Sequence, residues 1–240
     1  MLPKAVLFDV DDTLAESFRP PTNSMLARLR ELLDRTAVGI ISAAGFPRIE
    51  RDFVATLTDS PNAKRLYVLP NSSAQAYTWA DGWNEEYSLA LSDEERAYIE
   101  ECIRRADPSP DPRARIIDRG VQVAYAAIGL DASFEDKKTW DPDQSKRTAM
   151  KTVLDAMLPE YEVLIGGMTT IDITKKGINK AYGVRWMAER LRSEPHEMLY
   201  IGDALYPGGN DYVVIETGVQ VHQVKNPSET EEVVESLLTR

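Results

Sequence analysis

A short apolar run that ends in carboxylates constrains this chain more than any other feature. Residues Ala5–Phe8 are continuously apolar, with β-branched and aromatic members, the pattern of a fully buried strand. Asp9, Asp11 and Asp12 follow it directly. Like charges crowded at one strand end cost free energy unless a cation or a reaction uses them. Ligands bind at the carboxyl ends of strands in open parallel sheets, so the run predicts an acidic site there. An acidic loop after an edge strand is the alternative.

Strands and amphipathic helices alternate at both ends of the chain, which implies a parallel sheet with right-handed crossovers. In the first third we predict strands at Ala5–Phe8, Ala37–Ile41 and Arg65–Leu69, and helices at Thr22–Arg35 and Arg48–Leu57. In the last part we predict helices at Asn179–Leu191, Asp211–Ile215 and Ser228–Leu238, and strands at Met198–Ile201 and Gly218–Val221.

The middle of the chain has a different pattern. Ser92 with Glu95 is a capping-box signature, so a helix should run to about Arg105. Further predicted elements are a strand region at Ile116–Ile128 with a break near Gly120, a helix at Asp143–Leu158, and strands at Glu162–Ile165 and Thr169–Ile173. The fold class is therefore α/β, with a split core at 1–80 and 175–240 and an α+β cap inserted at 81–174.

Composition narrows the class of protein. The 240 residues suit one large or two small domains, and the formal net charge of −11 argues against nucleic acid or an anionic membrane as the main partner. Cys102 is the one cysteine in the sequence, so no intrachain disulfide can form, and we expect it to be a small buried residue. The first apolar run is too short for a signal peptide, and no window approaches the roughly 20 apolar residues of a membrane helix. We therefore expect a cytoplasmic protein.

Three more polar sites follow predicted core strands or open a helix on the same sheet edge. Ser42 follows the second strand, Lys180 opens a helix, and Asp203 begins a loop that ends in Asn210 and Asp211. Strand ends of a parallel sheet lie on one edge, so these side chains can converge with the first carboxylates. Taken one at a time they also fit a helix cap, a solvated lysine and a plain loop.

Each of these residue types has a role in phosphoryl transfer. A carboxylate can attack phosphorus, and a second can protonate the leaving oxygen and later deprotonate water. Mg²⁺ prefers oxygen ligands and would offset the repulsion between carboxylates. A lysine and a hydroxyl can hold the equatorial phosphate oxygens. These residue types therefore predict phosphoryl transfer with Mg²⁺ as the cofactor.

The motif series resembles that of the haloacid dehalogenase superfamily over nearly the full chain. Asp9–Leu14 resembles motif I (DxDxT), and Ser42, Lys180 and Gly202–Asp211 fit motifs II, III and IV. The insert resembles a type IIB, or C2B, cap. The resemblance implies a Rossmann-like core and a cap that closes over the site.

In that superfamily the motifs imply the following roles. Asp9 is the nucleophile, Asp11 the acid and base, and Lys180 a further catalytic residue. Ser42, Lys180 and Asn210 contact the phosphate. The metal set is Asp9, Asp203, the backbone carbonyl of Asp11, and Asp211 in the outer shell.

Within the superfamily the chain is most similar to eukaryotic-type phosphomannomutases. Asp203–Asp211 has their spacing, including Pro207–Asp211, and Gly166–Asp172 resembles a cap strand in which a hydroxyl residue and an Asp contact the sugar. This resemblance implies that Thr170 and Asp172 contact the sugar and that Arg119 binds the distal phosphate. It also suggests a cap-to-cap homodimer.

The chain departs from the mutases at two phosphate-binding arginines and at motif II. Leu130 and Lys137 stand where the mutases carry further arginines, and lysine does not reproduce a bidentate guanidinium. Gapless counting against the mutases places their motif II serine at Ala44, whereas counting against related phosphatases favours Ser42. A mutase must hold a bisphosphate at both ends without losing it to water.

The resemblance and these departures together lead us to expect a magnesium-dependent phosphatase that acts through an aspartyl-phosphate on a small phosphorylated metabolite, a sugar phosphate or a similar compound. Phosphomannomutase is the nearest alternative, and a non-catalytic phosphate sensor is an alternative of another class. Asp11 argues against the sensor, because binding alone does not need a second carboxylate.

Overall fold

The computed structural model describes residues 2–239, which divide into two compact units. One unit runs to Ser88 and resumes at Lys180, and the other spans Leu89–Asn179. In chain order the elements are β1 (Ala5–Phe8), α1 (Asn23–Leu33), β2 (Ala37–Ile41), α2 (Phe46–Ile49), α3 (Ala55–Leu57), β3 (Leu66–Leu69), β4 (Gln75–Trp79), β5 (Trp83–Ser88), α4 (Asp93–Ala106), β6 (Arg115–Asp118), β7 (Val123–Ala126), α5 (Phe134–Trp140), α6 (Ser145–Met157), β8 (Tyr161–Gly166), β9 (Thr170–Lys175), α7 (Lys180–Arg190), β10 (Leu199–Gly202), β11 (Gln220–Gln223) and α8 (Pro227–Leu238). A π-helical turn joins α2 to α3, and the short helix predicted at Asp211–Ile215 is a 3-10 turn at Tyr212–Thr217.

The first unit is built on a seven-stranded sheet with the order β11-β10-β1-β2-β3-β4-β5. The five strands from β11 to β3 are parallel, as the alternation of strands and helices predicted. Phe8, the last residue of β1, is in register with Ile201 of β10 and Ile40 of β2. The carboxyl ends of these three strands therefore lie at one edge, and the residues after them are neighbours.

The two faces of this sheet are covered by different helices. Val6 and Phe8 pack into a core with Leu29 of α1, while Ala5 and Leu7 pack into a second core that includes residues of α7. Successive side chains of a strand point to opposite faces, so a strand that is apolar throughout must be covered twice. The continuous apolar run of β1 is explained by this arrangement.

A hairpin that the sequence analysis missed extends the sheet. β4 and β5 pair antiparallel, and β4 also pairs antiparallel with β3. The hairpin turns at Asp81-Gly82, where both residues have positive φ. β5 is the edge strand and carries mostly polar residues, and β4 beside it alternates between buried and half-buried positions, so neither forms a continuous apolar run. The Asp-Gly dipeptide was the available signal. The insert predicted to begin at residue 81 thus contains a strand that belongs to the core sheet.

The second unit is a four-stranded antiparallel sheet with the order β6-β7-β9-β8. Ile99, Cys102 and Ile103 of α4 and Leu154 of α6 pack with strand residues into one core. The predicted capping box is present, because the Ser92 hydroxyl accepts from the Glu95 amide and the Glu95 carboxylate accepts from the Ser92 amide. Cys102 is buried, as expected. Helix α5 was not predicted, because it is a short segment with few apolar residues.

Within residues 2–239, none of the helices combines the length and the apolar character that a membrane span requires.

Candidate active site

Three carboxylates and one ammonium group meet at the carboxyl edge of the core sheet. Asp9 follows β1, Asp203 follows β10, Asp211 lies farther along the same loop, and Lys180 begins α7. The Lys180 ammonium donates to Asp9 Oδ1 and to Asp211 Oδ1, each at 2.6 Å. Asp9, Asp203 and Asp211 each place a carboxylate oxygen within 4.8 Å of the others. The convergence predicted from strand ends is therefore present for these four residues.

The charges of this cluster do not balance. Three carboxylates face one lysine, and Asp9, Asp211 and Lys180 are buried. Burial, with added repulsion from Asp211 and Asp203, raises the pKa of Asp9 well above its ordinary value, although Lys180 opposes the shift. Burial and Asp211 likewise raise the pKa of Asp203 to about 7. Burial alone would lower the pKa of Lys180, but Asp211 and Asp9 outweigh it and raise that pKa. The raised pKa keeps the ammonium charged, so the cluster joins three carboxylates to one lysine within residues 2–239.

Asp211 is held from several sides. Its Oδ1 accepts hydrogen bonds from Lys180 and, at 2.6 Å, from the Tyr200 hydroxyl. Its Oδ2 accepts from the Ala204 amide. A Cβ at Gly202 would lie 2.4 Å from Asp211 Oδ2, so a glycine is needed there. These contacts fix Asp211 beside the other carboxylates and leave it little capacity for direct metal ligation, which suits the supporting role predicted for it.

The donor set suits a divalent cation. Clustered carboxylate oxygens are the ligands that hard divalent ions prefer, and the excess of negative charge calls for a cation. In addition, the buried Asn210 Oδ1 has no hydrogen-bond partner among the described residues. A buried acceptor without a donor is costly, and a cation or a bound ligand donor would satisfy it.

Ser42 and Asp11 lie at the same sheet edge. Ser42 is buried directly after β2, and its hydroxyl accepts from the Ala44 amide at 3.0 Å. The Asp11 side chain does not join the carboxylate cluster. Instead, the Arg48 guanidinium binds it through two hydrogen bonds of 2.6 and 2.9 Å.

The predicted sugar-binding residues belong to the second unit. Asp172 and Thr170 lie on β9, and Arg119 lies just after β6. Asp172 is buried, and burial raises its pKa to about 6 despite the favourable charge of Arg119. Arg119 also donates to the Gln122 side chain at 2.6 Å. Their contact with a substrate stays a prediction.

The two positions that depart from the mutases also lie in this unit. Leu130 is exposed, whereas Lys137 is buried and its ammonium donates to the Leu130 carbonyl at 2.6 Å. Leu130 offers no charge, and Lys137 is in contact with a carbonyl of its own unit.

Two side chains that contact the site residues, Arg48 and Tyr200, were not predicted from the sequence. Arg48 begins the helix predicted at Arg48–Leu57, where the helix dipole opposes a cation, so a partner carboxylate could have been expected for it. Tyr200 is fully buried in β10, where a tyrosine hydroxyl needs a partner. Both signals were present in the residue order, but neither names the carboxylate that each side chain reaches.

Comparison with known sequences identifies the family. The sequence model described as eukaryotic phosphomannomutase matches residues 111–240, which is more than half of the chain. The chain belongs to the eukaryotic phosphomannomutase family, within the haloacid dehalogenase superfamily. The phosphomannomutase of Solanum lycopersicum is 28% identical over 237 residues, which cover 93% of this chain and 90% of that protein. That of Arabidopsis thaliana is 27% identical and covers 93% of this chain and 92% of its own length.

Solved structures share the fold of this phosphomannomutase-family chain at low sequence identity. A truncated, IMP-bound IMP-nucleotidase of Plasmodium falciparum superposes with a TM-score of 0.76 at 16% identity, covering 99% of this chain and 68% of that one. A trehalose-6-phosphate phosphatase of Aspergillus fumigatus gives 0.59 at 14% identity, covering 98% and 92%. These likenesses support the predicted α/β fold.

Membership of the phosphomannomutase family establishes the general chemistry. The chain is an enzyme of phosphoryl transfer whose substrate is a phosphorylated small molecule. The buried carboxylates are consistent with a metal site of the superfamily.

Proposed function

We propose that this chain is a magnesium-dependent phosphomannomutase that transfers a phosphoryl group between two positions of a hexose through Asp9. The observation that supports it is the carboxylate and lysine cluster, Asp9, Lys180, Asp203 and Asp211, in a chain whose relatives over 93% or more of its length are named phosphomannomutase. The sequence alone favoured hydrolysis over the mutase reaction. These relatives, which match nearly the full chain, favour the mutase reaction instead.

The proposed reaction assigns one task to each residue. The Asp9 carboxylate attacks phosphorus and forms an acyl phosphate as the bond to the leaving oxygen breaks. Asp11 gives a proton to that oxygen and later takes one from the acceptor hydroxyl, which attacks phosphorus as the bond to Asp9 breaks. Lys180, Ser42 and Asn210 hold the phosphate oxygens, where negative charge spreads in the transition state.

Magnesium is proposed as the cofactor. Asp9, Asp203 and the backbone carbonyl of Asp11 would hold it, with Asp211 in support. Bound there, the ion would neutralise carboxylate charge and polarise the phosphate. We expect MgCl₂ to raise the melting temperature of the wild-type protein and not that of Asp203→Asn, because a ligand stabilises only a fold that binds it. An equal shift in both proteins would contradict this site.

Hydrolysis of a sugar phosphate is the second candidate, and two residues favour it. Leu130 provides no cation where the mutases have an arginine, and Lys137 has neither the planar fork of arginine nor an exposed position. A weaker hold on the distal phosphate would let water replace the sugar as acceptor.

One assay separates the two candidates. The enzyme is incubated with mannose 1-phosphate, Mg²⁺ and a trace of hexose bisphosphate, and both mannose 6-phosphate and free phosphate are measured. A product that is mainly mannose 6-phosphate supports the mutase, whereas mainly free phosphate supports hydrolysis. Asp9→Asn is the control for both. Absence of turnover on this substrate and on a generic aryl phosphate would instead favour the phosphate sensor.

A variant tests the reason for any hydrolysis. Leu130 is exposed, so Leu130→Arg restores a guanidinium at low structural cost. If the missing arginine causes loss of the bisphosphate, this variant should raise the ratio of mannose 6-phosphate to free phosphate. Leu130→Gln, which adds polarity without charge, is the matched control. The homodimer and the cytoplasmic location stay predictions.

A further inference from the structure

A guanidinium from a second element holds the proposed acid and base of the reaction. Arg48 Nη1 donates to Asp11 Oδ2 at 2.9 Å, and Arg48 Nη2 donates to Asp11 Oδ1 at 2.6 Å. A bidentate pair of this kind fixes both the direction and the plane of a carboxylate. The two side chains are 22% and 26% exposed, so water screens the pair less than it would at the open surface.

The loop that carries Asp11 is already ordered by its own hydrogen bonds. The Ser17 amide and hydroxyl donate to the Asp12 carboxylate, and the Asp12 amide donates to the Ala15 carbonyl. The Phe18 amide donates to Asp11 Oδ1 at 3.2 Å. Arg48 therefore links α2 to a loop whose backbone is already held by other hydrogen bonds. A substitution of Arg48 should thus change the orientation of the Asp11 side chain and not the path of the loop.

Arg48 is itself held in place. Its Nε lies 3.8 Å from the Asp52 carboxylate, and its guanidinium carbon lies 5.9 Å from the centre of the Phe18 ring. Burial works to lower the pKa of Arg48, but the hydrogen bonds and charge of Asp11 outweigh it and raise that pKa. The guanidinium is thus a permanent charge with few other orientations available.

The two oxygens of Asp11 are not equivalent. Within the part of the chain that the structure describes, Oδ1 accepts from both Arg48 and the Phe18 amide, whereas Oδ2 accepts from Arg48 alone. Each carboxylate oxygen has two lone pairs, so Oδ2 retains one. That lone pair is where a proton can pass to or from a substrate oxygen.

We propose that Arg48 is a positioning residue that orients Asp11 so that Oδ2 faces the oxygen that exchanges a proton with it. This inference rests on the proposed function, because it needs Asp11 to serve as acid and base. The inference goes beyond the proposed function because it assigns a role to a residue outside the motif series and names the oxygen of Asp11 that exchanges the proton.

The experiment compares two leaving groups by kcat/KM, which reports the step in which Asp9 is phosphorylated. 4-Nitrophenyl phosphate releases a phenolate that needs no proton from the enzyme, whereas a hexose bisphosphate, the donor that phosphorylates Asp9 in the proposed mutase, releases an alkoxide that does. We expect Arg48→Lys to lower kcat/KM for the hexose bisphosphate by about 10- to 100-fold and that for 4-nitrophenyl phosphate by less than about threefold. Lysine keeps the charge but cannot form the fork. Melting temperatures show that each variant is folded.

The double variant separates positioning from a merely structural effect. If Arg48 acts through Asp11, then adding Arg48→Lys to Asp11→Asn should lower kcat/KM little further, because the carboxylate that Arg48 orients is no longer present. The matched control is Arg51→Lys, which alters an exposed arginine paired with Asp52 and should leave both substrates unaffected.

Two results would overturn the inference. One is that Arg48→Lys lowers kcat/KM equally for both leaving groups. The other is that its effect on kcat/KM adds in full to that of Asp11→Asn. Either result would show that Arg48 has no specific action on Asp11. If the proposed function is wrong, the wild-type protein will turn over neither substrate. That outcome differs from the two results above, and it would also rule out the proposed role of Arg48.

Discussion

Two buried charged clusters in this protein differ in their balance of charge. In the second unit the Arg147 guanidinium pairs with Asp141 at 2.8 Å and also donates to the carbonyls of Gly166 and Gly167. The Asp141 carboxylate further accepts from the Lys146 and Arg147 amides. One positive charge meets one negative charge, and each has its hydrogen bonds. The core cluster instead sets three carboxylates against Lys180.

The pKa shifts follow this difference. Burial works to raise the pKa of Asp141, but hydrogen bonds from Arg147 and two amides outweigh it and lower that pKa. Burial raises the pKa of Asp9 and Asp203. A balanced buried pair is suited to holding a fold together, whereas an unbalanced cluster costs stability and persists where a cation or a reaction uses it. The following changes test that contrast.

Asp9→Asn should have the largest effect, and it should act on the rate alone. An amide is not a competent nucleophile here, so we expect turnover to fall by about 10³-fold or more. The melting temperature should stay unchanged or rise, because one of the repelling carboxylates is removed. Thermal unfolding and product assays on the same preparation check both parts. A clear loss of stability would show that Asp9 has a structural role, contrary to the contrast.

Arg147→Met should have the opposite profile, with a large loss of stability. It leaves the buried Asp141 carboxylate without its cation, which typically costs about 3 to 5 kcal/mol. Urea denaturation followed by tryptophan fluorescence measures the loss. Arg104→Met, which removes an exposed arginine paired with Glu100, is the control and should change little. If Arg147→Met loses as little unfolding free energy as the control, the pair of Arg147 and Asp141 does not stabilise the fold as we expect.

Asp172→Asn tests a buried carboxylate outside these two clusters through its pH dependence. The pKa of Asp172 is about 6 in the fold against 3.8 as its ordinary value, so folding takes up a proton between these pH values. Its contribution to stability is therefore complete below about pH 4 and is lost as the pH rises through 6. Asparagine removes that loss, so the variant should be more stable than the wild type at pH 8, by up to about 3 kcal/mol, and should lose this advantage near pH 4.

Denaturation curves at pH 4 and pH 8 provide the measurement. Asp155→Asn, at an exposed position beside Lys151, is the control without such a pH dependence. An advantage of Asp172→Asn that is independent of pH would mean that Asp172 is not held as a buried acid.

Tyr200→Phe should have the smallest effect. It removes the hydroxyl that donates to Asp211 at 2.6 Å, which we expect to cost about 1 to 2 kcal/mol and to lower turnover severalfold. Tyr87→Phe removes a hydrogen bond to the Ser73 carbonyl and should lower stability without changing turnover. Equal turnover in both variants would show that Asp211 needs no support from Tyr200.

The parallel core could be predicted because its signals are local. Ala5–Phe8 and Ala37–Ile41 are strands with the predicted bounds, since strands covered on both faces are apolar throughout. The β4–β5 hairpin and α5 were missed, because elements with polar or short sequences have no such signal. Asp9 and Asp203 could be placed together because both follow parallel strands, whose carboxyl ends share one edge, whereas Lys180 begins α7 and its contact with Asp9 depends on the tertiary structure.

Residue order alone determined which segments become core strands and which polar residues stand at their ends, because apolar periodicity and strand polarity are properties of neighbouring residues. The tertiary structure alone decided the pairings. Lys180 lies between Asp9 and Asp211, Tyr200 supports Asp211, and Arg48 holds Asp11. These contacts join residues that are 11 to 171 positions apart. Their distances are set by the packing of helices on the sheet and not by spacing along the chain.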